Sequence, residues 1–177
     1  MTSTDRQELR YTIVDTALGQ ALLAASDMGI CRVSFEEDED ALRRLYPTAR
    51  SHHDSQGLAA WGAQLAALIE APSAGHDLPL DLDGTAFQES VWRALQDIPP
   101  GETRTYAQVA AAAGRPGADR AAGAANGANR IAVLVPCHRV IRSDGGLGGY
   151  AHGLERKRRL LEAEGVRIGD FQHTLDL

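Results

Sequence analysis

The sequence is poor in cysteine, in aromatic residues and in long apolar runs. Two cysteines among 177 residues, Cys31 and Cys137, are too few for the disulfide framework of a small secreted protein. No apolar run approaches the roughly 18 residues of a transmembrane helix, and the first residues lack the apolar core of a signal peptide. These absences predict a cytoplasmic protein that has no membrane partner and keeps its thiols reduced.

Positive charge is scarce overall but unevenly distributed. The formal net charge is −6. Residues 1–100 carry 7 Lys/Arg against 16 Asp/Glu, whereas residues 101–165 carry 10 against 6. A chain with this distribution can present one basic face to a nucleic acid while the whole remains acidic.

The first part of the chain has the polar–apolar alternation that is typical of β-strands. Three such stretches are separated by turn residues, which predicts an antiparallel meander. The expected strands are Leu9–Asp15, Gln20–Ala25 and Ile30–Phe35. Cys31 lies in the third strand and is expected to be a small core residue.

Two helices are expected to follow the strands. The acidic run Glu36–Asp40 favours a helix N-terminus, and helical spacing continues to Tyr46. Residues 48–57 are expected to form a polar loop, whose adjacent His52-His53 pair points apart and is not expected to bind a metal. A second helix is expected over Leu58–Glu70.

A change in composition marks a domain boundary near residue 84. The stretch Pro72–Gly84 is rich in Pro, Gly and Asp and is expected to be a linker with a short strand at Leu78–Leu82. We therefore assign residues 1–83 to an N-terminal α/β domain and residues 84–177 to a C-terminal helical domain.

Three helices are predicted after this boundary. Thr85 and Gln88 have the form of a capping box, in front of an apolar face that runs to Ile98. Two shorter helices, over residues 105–113 and 118–128, flank a break that contains glycine. This arrangement is the outline of a helix-turn-helix.

The predicted helix over residues 118–128 consists almost entirely of small residues, and Arg120 is its only long side chain. Small residues bury little area, but they allow a backbone to approach a partner closely. Such a helix suits the minor groove of DNA, into which one long side chain could insert. Tight packing on a neighbouring helix, with Arg120 in solvent, is the alternative.

The stretch Ile131–Ile141 presents a thiol and an imidazole side by side. Its first residues are strand-like, and Pro136 should end the strand because it lacks a backbone N–H. Cys137 would then stand at the end of a buried element, directly before His138. A neighbouring base can turn a thiol into a strong nucleophile. A structural cysteine beside a surface histidine is the alternative.

The last part of the chain combines a glycine-rich loop with a basic helix. The loop Gly145–Tyr150 lacks the Lys-Ser/Thr of a phosphate-binding loop and the Rossmann spacing, so nucleotide binding is not expected. We expect the loop to bring its tyrosine near Cys137. A final helix is expected over Leu154–Gly165, with the glycine as its C-terminal cap and Arg156–Arg159 exposed. The leucines expected to face inward are Leu154, Leu160 and Leu161.

Several of these motifs resemble those of the O6-alkylguanine-DNA alkyltransferases, a family of direct-reversal DNA repair proteins. Pro136–Val140 resembles the family's active-site motif, and Gly101–Tyr106 resembles the segment that leads into its helix-turn-helix. Arg120 resembles the family's arginine finger. Asn129 precedes the cysteine by eight residues, as the family's hinge asparagine does.

The resemblance extends over nearly the whole chain. Tyr150 and Glu164 follow the cysteine at the family's distances, and Asp15–Gly19 resembles its N-terminal hairpin. The implied fold is a ribonuclease-H-like α/β domain followed by a helical domain with a helix-turn-helix. The implied partner is double-stranded DNA that contains O6-alkylguanine, bound by a monomer without cofactor or metal.

The resemblance also implies an activity, which is single-turnover transfer of an alkyl group from O6 of guanine to Cys137. It leaves O4 of thymine open as a second substrate. The damaged base would be flipped out of the duplex after minor-groove binding. Because a thioether does not hydrolyse under these conditions, each molecule would act once.

Residue roles follow from the resemblance. Cys137 would attack the alkyl carbon, His138 would take the thiol proton through a water molecule, and Glu164 would orient the imidazole. Tyr106 would hydrogen-bond the guanine, and Asn129 would tie the recognition helix to the active-site turn. The residues implied at the DNA are Arg120, Ala121, Gly123 and Ala124, together with Tyr106. Those implied in the substrate pocket are Val140, Tyr150 and Ala151.

The sequence departs from the family pattern in several places. Arg130-Ile-Ala132 follows Asn129 where some relatives carry prolines, which resembles the C-terminal half of the bacterial adaptive-response protein and predicts a roomier pocket. Ala151 stands where some relatives have serine. Some relatives bind zinc through an N-terminal set of cysteine and histidine residues. This set is not reproduced here, because Cys31 has no clear partner. The regulatory metal-binding domain of the adaptive-response protein is not in this sequence, so an inducible regulator is not expected.

Three other functions compete with alkyl transfer. A non-catalytic lesion-binding protein of the same fold would lack the cysteine, whereas Cys137 is present. A cysteine hydrolase that uses Cys137 and His138 would leave Arg120 and its small-residue helix unexplained. A plain helix-turn-helix regulator would have no use for a Cys-His-Glu set.

Overall fold

A four-stranded mixed sheet forms the first half of the computed structural model, which describes residues 6–168. The strands are β1 (Glu8–Thr16), β2 (Gly19–Ala25), β3 (Ile30–Phe35) and β4 (Arg50–His53), in the order β3-β2-β1-β4. The predicted antiparallel meander β1-β2-β3 is confirmed. Cys31 is buried in a small core on this sheet, as expected.

The prediction of a polar loop over residues 48–57 is wrong, because β4 lies within it. β4 pairs in parallel with the first residues of β1, from Glu8↔Arg50 to Tyr11↔His53. Its sequence is polar because three of its four residues are exposed at the edge of the sheet. Among the described residues, no cluster of His, Cys, Asp or Glu is arranged to hold a metal ion.

Two helices cover the first half. They are α1 (Glu39–Leu45) and α2 (Ala59–Glu70). α1 begins three residues later than the acidic run predicts, because Asp38 accepts a hydrogen bond from the Ala41 amide as its N-cap and Glu36 adopts a left-handed φ of 59°.

The linker between the two halves is held by ionic and backbone contacts. The strand predicted at Leu78–Leu82 reduces to a single bridge between Ile30 and Leu80. Arg6 binds the carboxylates of Asp81 and Asp83 at 2.8 and 2.7 Å. These ion pairs hold the linker together with two backbone hydrogen bonds, from the Ile30 N–H to the Pro79 carbonyl and from the Asp81 N–H to the Ile30 carbonyl, each at 2.8 Å.

The second half is helical. Its helices are α3 (Ala86–Gln96), α4 (Tyr106–Ala112), α5 (Asp119–Gly127) and α6 (Leu154–Ala163), and two short parallel strands are β5 (Arg104–Thr105) and β6 (Val140–Ile141). The predicted capping box of Thr85 and Gln88 is confirmed. A second one, formed by Thr105 and Gln108, starts α4 and had not been predicted.

α5 packs closely on α3 and α4 through its small residues. Ala122 and Ala125 are buried in the main core. The indole N–H of Trp92, on α3, donates to the Ala125 carbonyl at 2.8 Å. Alanine and glycine therefore serve packing on one side of α5, while Arg120, Ala121 and Ala124 lie exposed on the other.

α6 differs from the prediction at several positions. Of Arg156–Arg159, all expected to be exposed, Arg159 alone is exposed, and Arg156 and Arg158 are half-buried. Leu154, expected inside, is 39% exposed. Lys157, expected in solvent, is fully buried. Residues three and four apart share one side of a helix, so Lys157 lies on the same face as the buried Leu160 and Leu161. The position of the lysine on that face buries it, although its residue type predicts exposure.

One continuous hydrophobic core joins the two halves of the described chain. It includes Leu23 and Val33 of the sheet together with Val91, Leu95 and Leu134 of the helical part. No helix within residues 6–168 is both long and apolar enough to span a membrane.

The contact between α3 and α5 can be tested by replacing Trp92 with Phe. The change keeps an aromatic ring but removes the donor to Ala125, which should lower the free energy of unfolding by about 1–3 kcal/mol. Urea denaturation followed by circular dichroism measures this value. Trp61→Phe, at a half-buried position of α2, should change it by less than about 0.5 kcal/mol. Equal losses in the two variants would contradict the proposed anchor.

Candidate active site

The nucleophile candidate Cys137 lies in a buried turn. The predicted strand over Ile131–Val135 is wrong, since only Ile131 bridges to the sheet, at Val33. The chain then reverses, with a left-handed φ of 71° at Val133 and a Leu134 N–H that donates to the Ala132 carbonyl at 2.8 Å. A one-turn 3-10 helix, Cys137–Arg139, follows Pro136.

Asn129 supplies the hydrogen bonds that a strand partner would otherwise make. Its Nδ2 donates to the Val135 carbonyl at 2.9 Å, and its Oδ1 accepts from the Ile131 N–H at 3.0 Å. These bonds close the turn in front of Cys137. Buried backbone groups require partners, so a single amide side chain makes this turn possible inside the core.

His138 and Arg139 converge on one carboxylate, that of Glu164. His138 Nε2 lies 2.7 Å from Glu164 Oε1. The Arg139 guanidinium donates to both carboxylate oxygens at 2.8–3.0 Å and to the Ile98 carbonyl at 2.5 Å. Sequence reasoning predicted the His138–Glu164 pair, whereas the role of Arg139 had no local signal.

The end of α6 holds Glu164 in place. Glu164 is the C-cap, and Gly165 follows with a left-handed φ of 88°. The Gly165 N–H donates to the Glu162 carbonyl and the Val166 N–H to the Leu161 carbonyl, which is the Schellman pattern. The predicted glycine cap is therefore confirmed, and it fixes the backbone that presents the carboxylate.

Burial keeps the resting site largely neutral. It raises the pKa of the Cys137 thiol and lowers the pKa of His138, although Glu164 opposes the latter shift. Burial alone would raise the pKa of Glu164, but hydrogen bonds from His138 and Arg139 outweigh it and hold that pKa below its ordinary value. At neutral pH the site therefore contains a thiol, an imidazole and a carboxylate.

The tautomer of His138 follows from these contacts. A carboxylate can only accept, so Nε2 carries the proton and Nδ1 has a free lone pair. Nδ1 is buried and has no hydrogen-bond partner within the described part of the chain. A buried, unprotonated nitrogen on the residue after Cys137 can accept the thiol proton, and Glu164 would stabilise the resulting imidazolium.

Two predicted site residues, Tyr106 and Tyr150, pack against the core that contains Cys137. Burial raises the pKa of both phenol groups. The Tyr150 hydroxyl is buried without a partner among residues 6–168. Val140 is buried, whereas Ala151 is exposed.

The close approach of Tyr106 requires glycine at position 148. A Cβ at Gly148, whose φ is 73°, would lie 2.8 Å from the Tyr106 hydroxyl, whereas one at Gly123 would lie 3.6 Å from the ring, in ordinary van der Waals contact. The phenol thus lies between α5 and the glycine-rich loop. Packing against Tyr106 therefore explains the glycine at position 148 of the loop Gly145–Tyr150.

Sequence reasoning missed two buried polar residues at this site. Asn126, on the inner face of α5, has its Nδ2 3.4 Å from the Cys137 carbonyl, and its Oδ1 is buried without a partner in the described residues. Lys157 donates to three backbone carbonyls. Asn126 could not be singled out from the sequence, because it lies in a helical run of small residues.

Comparison with known proteins gives the site its family. Residues 86–166 match the family model described as 6-O-methylguanine DNA methyltransferase, DNA binding domain. The methylated-DNA–protein-cysteine methyltransferase of Methanosarcina barkeri is 42% identical over 87% of this chain and 96% of its own length. The chain belongs to the methylated-DNA–protein-cysteine methyltransferase family.

Other family members agree in fold and differ in length. A Mycobacterium tuberculosis OGT solved in complex with DNA superposes with a TM-score of 0.75 and 39% identity, over 89% of this chain and 92% of that one. The regulatory protein Ada of Salmonella typhimurium is 44% identical over 90% of this chain. The match covers 46% of that Ada protein, so this methyltransferase-family chain spans about half the length of its Ada relatives.

The carboxylate at the centre of the site can be tested with Glu164→Gln. Loss of its charge leaves Arg139 buried and unpaired, which should lower the free energy of unfolding at neutral pH by about 3 kcal/mol. Because the pKa of Glu164 is depressed, its contribution is complete above its ordinary pKa and is lost as the pH falls through the folded-state value. The difference between the two proteins should therefore shrink in acid.

Urea denaturation at several pH values measures this difference. Glu162→Gln, at an exposed position of the same helix, is the matched control and should change stability by less than about 0.5 kcal/mol. A Glu164→Gln variant whose deficit stays constant from neutral to acidic pH would contradict the assignment.

Proposed function

We propose that this protein repairs alkylated DNA by direct reversal. In this proposal it transfers an alkyl group, such as methyl, from O6 of guanine to Cys137. One observation carries the proposal. His138 directly follows the cysteine, its Nε2 binds Glu164, and its buried Nδ1 has no hydrogen-bond partner among the described residues. Family membership supports it, because relatives that match nearly end to end are named methylated-DNA–protein-cysteine methyltransferases.

The proposed chemical step is a displacement at the alkyl carbon. His138 Nδ1 takes the thiol proton through a water molecule, and Sγ forms a bond to the alkyl carbon. The bond between that carbon and O6 breaks, and its electron pair remains on the guanine. The proton taken from the thiol finally neutralises the guanine. The products are a normal guanine and an S-alkylcysteine, so each protein molecule acts once.

The site residues receive roles in this proposal. Tyr106 hydrogen-bonds the guanine as it gains electrons, and Asn129 holds the turn that carries the nucleophile. Val140 and Ala151 offer backbone groups to the base, and Tyr150 forms the wall of the alkyl pocket. The packing of Tyr106 and Tyr150 against the core that contains Cys137 supports this assignment. O4 of thymine is a second position from which the same chemistry could remove an alkyl group.

Recognition of DNA is assigned to the exposed face of α5. Arg120, Ala121 and Ala124 are exposed on it and Gly123 is half-buried, so a flat surface with one long cation faces outward. Such a surface suits the minor groove, with Arg120 filling the space left by a flipped base. The matching Mycobacterium tuberculosis OGT was solved in complex with DNA, which supports DNA as the partner.

The finer description of the fold belongs to the same proposal. We assign a ribonuclease-H-like α/β domain to residues 1–83 and a C-terminal domain to residues 84–177. In the latter, α4 and α5 would form the helix-turn-helix. We also propose that the protein works as a monomer in the cytoplasm without a cofactor. Two free cysteines suit a reducing compartment.

The first test is the intact mass of the protein after incubation with a duplex oligonucleotide that contains O6-methylguanine. The wild type should gain the mass of one methylene group, at most once per molecule, because transfer to a thiol consumes it. Cys137→Ser should gain nothing. Tight lesion binding without any gain would instead identify a binding protein, and turnover on an ester or amide would identify a hydrolase.

The role of Arg120 can be tested separately from the chemistry. Arg120→Ala should slow methyl transfer from duplex DNA about tenfold or more, because the flipped state loses the side chain that replaces the base. Transfer from free O6-methylguanine base should be unchanged. Arg93→Ala removes an exposed arginine from α3 and controls for the loss of charge. An equal effect of Arg120→Ala on both substrates would contradict the proposed insertion.

A further inference from the structure

Lys157 is the largest fully buried side chain of the described structure, in the middle of α6. Its Nζ donates to the backbone carbonyls of Val140 at 2.7 Å and Gly149 at 3.2 Å, and also to that of Leu147. All three acceptors lie in the segment that leads from the Cys137 turn to Tyr150. One ammonium group therefore closes this segment against α6.

These three contacts are with neutral carbonyl groups, so they do not neutralise the charge of Lys157. Transfer of a cation into the protein interior is costly unless a negative group compensates it. Within residues 6–168, no hydrogen bond or ion pair of Nζ involves a carboxylate. The buried carboxylate in this region, Glu164, already binds His138 and Arg139. Lys157 thus has hydrogen-bond acceptors but no counter-ion.

The group that can become its counter-ion is Cys137. The lysine charge acts to lower the pKa of the thiol, against the effect of burial. Burial lowers the pKa of Lys157 to about 8, and the negative charge of a Cys137 thiolate opposes that shift. Geometry places the lysine at the same turn, because Val140, whose carbonyl Nζ contacts at 2.7 Å, is the C-cap of the one-turn helix that begins at Cys137. The other charged and titratable groups around this turn are Tyr106, His138, Arg139, Tyr150 and Glu164.

We propose that Lys157 is a positioning residue that stabilises the Cys137 thiolate while it holds the segment from Val140 to Gly149 in place. This proposal rests on the proposed function, because it concerns the thiolate used there. When the thiol proton moves to His138, the negative charge that forms on Sγ faces the ammonium of Lys157. Lys157 stays protonated throughout and exchanges no proton with the substrate.

The hydrogen-bonding and charge roles of Lys157 can be separated by two substitutions. Lys157→Gln retains N–H donors for the carbonyls but has no charge, whereas Lys157→Arg retains the charge. The readout is the rate at which iodoacetamide alkylates Cys137, followed by peptide mass so that Cys31 is counted separately. This reaction depends on the thiolate and requires no DNA.

The expected result at neutral pH is a rate about tenfold lower for Lys157→Gln and within about threefold of wild type for Lys157→Arg. The pH profile of Lys157→Gln should also move to higher pH. Arg159→Gln, at an exposed position of the same helix, should react like the wild type. A Lys157→Gln variant that folds and reacts at the wild-type rate would overturn the charge role.

A second measurement covers the case in which these variants do not fold. In the wild type, the rate at which iodoacetamide alkylates Cys137 can be followed across the pH range in which Lys157 loses its proton, around its pKa of about 8. Loss of the ammonium charge withdraws the stabilisation of the thiolate, so the rate should rise less steeply with pH above about 8 than below it. An equally steep rise on both sides would overturn the proposal. Neither readout uses alkylated DNA, so a failure of the repair function would be seen separately, in the oligonucleotide assay.

Discussion

The carboxylate of Glu164 is the constraint on which the rest of the site depends. It is buried at the C-terminus of α6, and the left-handed Gly165 fixes the backbone that carries it. Because a buried carboxylate requires strong donors, it draws in both His138 and Arg139. Arg139 then reaches the Ile98 carbonyl after α3. One acid thus joins α6, the cysteine turn and the end of α3.

The second support of the site lies on the side of α5. Trp92 anchors this helix to α3, and Asn129, two residues beyond its end, closes the turn before the cysteine. Asn126 extends from the same helix towards the Cys137 carbonyl. The surface proposed to meet DNA is therefore connected to the nucleophile through hydrogen bonds of Asn126 and Asn129 and through packed alanines. Such rigid support suits a reaction whose substrate must be placed against one sulfur atom.

Electrostatics in the site favour a neutral resting state. Burial disfavours the charged forms of Cys137, His138 and Tyr150, while Glu164 and Arg139 neutralise each other. Lys157 is the exception, since its cation contacts carbonyl dipoles alone. An arrangement of this kind keeps the thiol protonated until a base and a nearby cation act together. It is consistent with the proposed transfer, in which each thiol is used once.

The sequence by itself determined those features that depend on local pattern. Alternation defined β1 to β3, the Thr85 capping box started α3, and the motif around Cys137 and His138 pointed to the family. Tertiary structure decided the features whose energy comes from distant partners. β4 exists because β1 offers it a ladder, the turn after Ile131 exists because Asn129 satisfies its backbone, and Lys157 is buried because its helix face packs inward. The partner of β4 lies about 40 residues away in the sequence, so no local pattern could show it. The residue types of Ile131–Val135 favour a strand, and a lysine favours an exposed position. Hydrogen bonding and burial outweighed those local preferences.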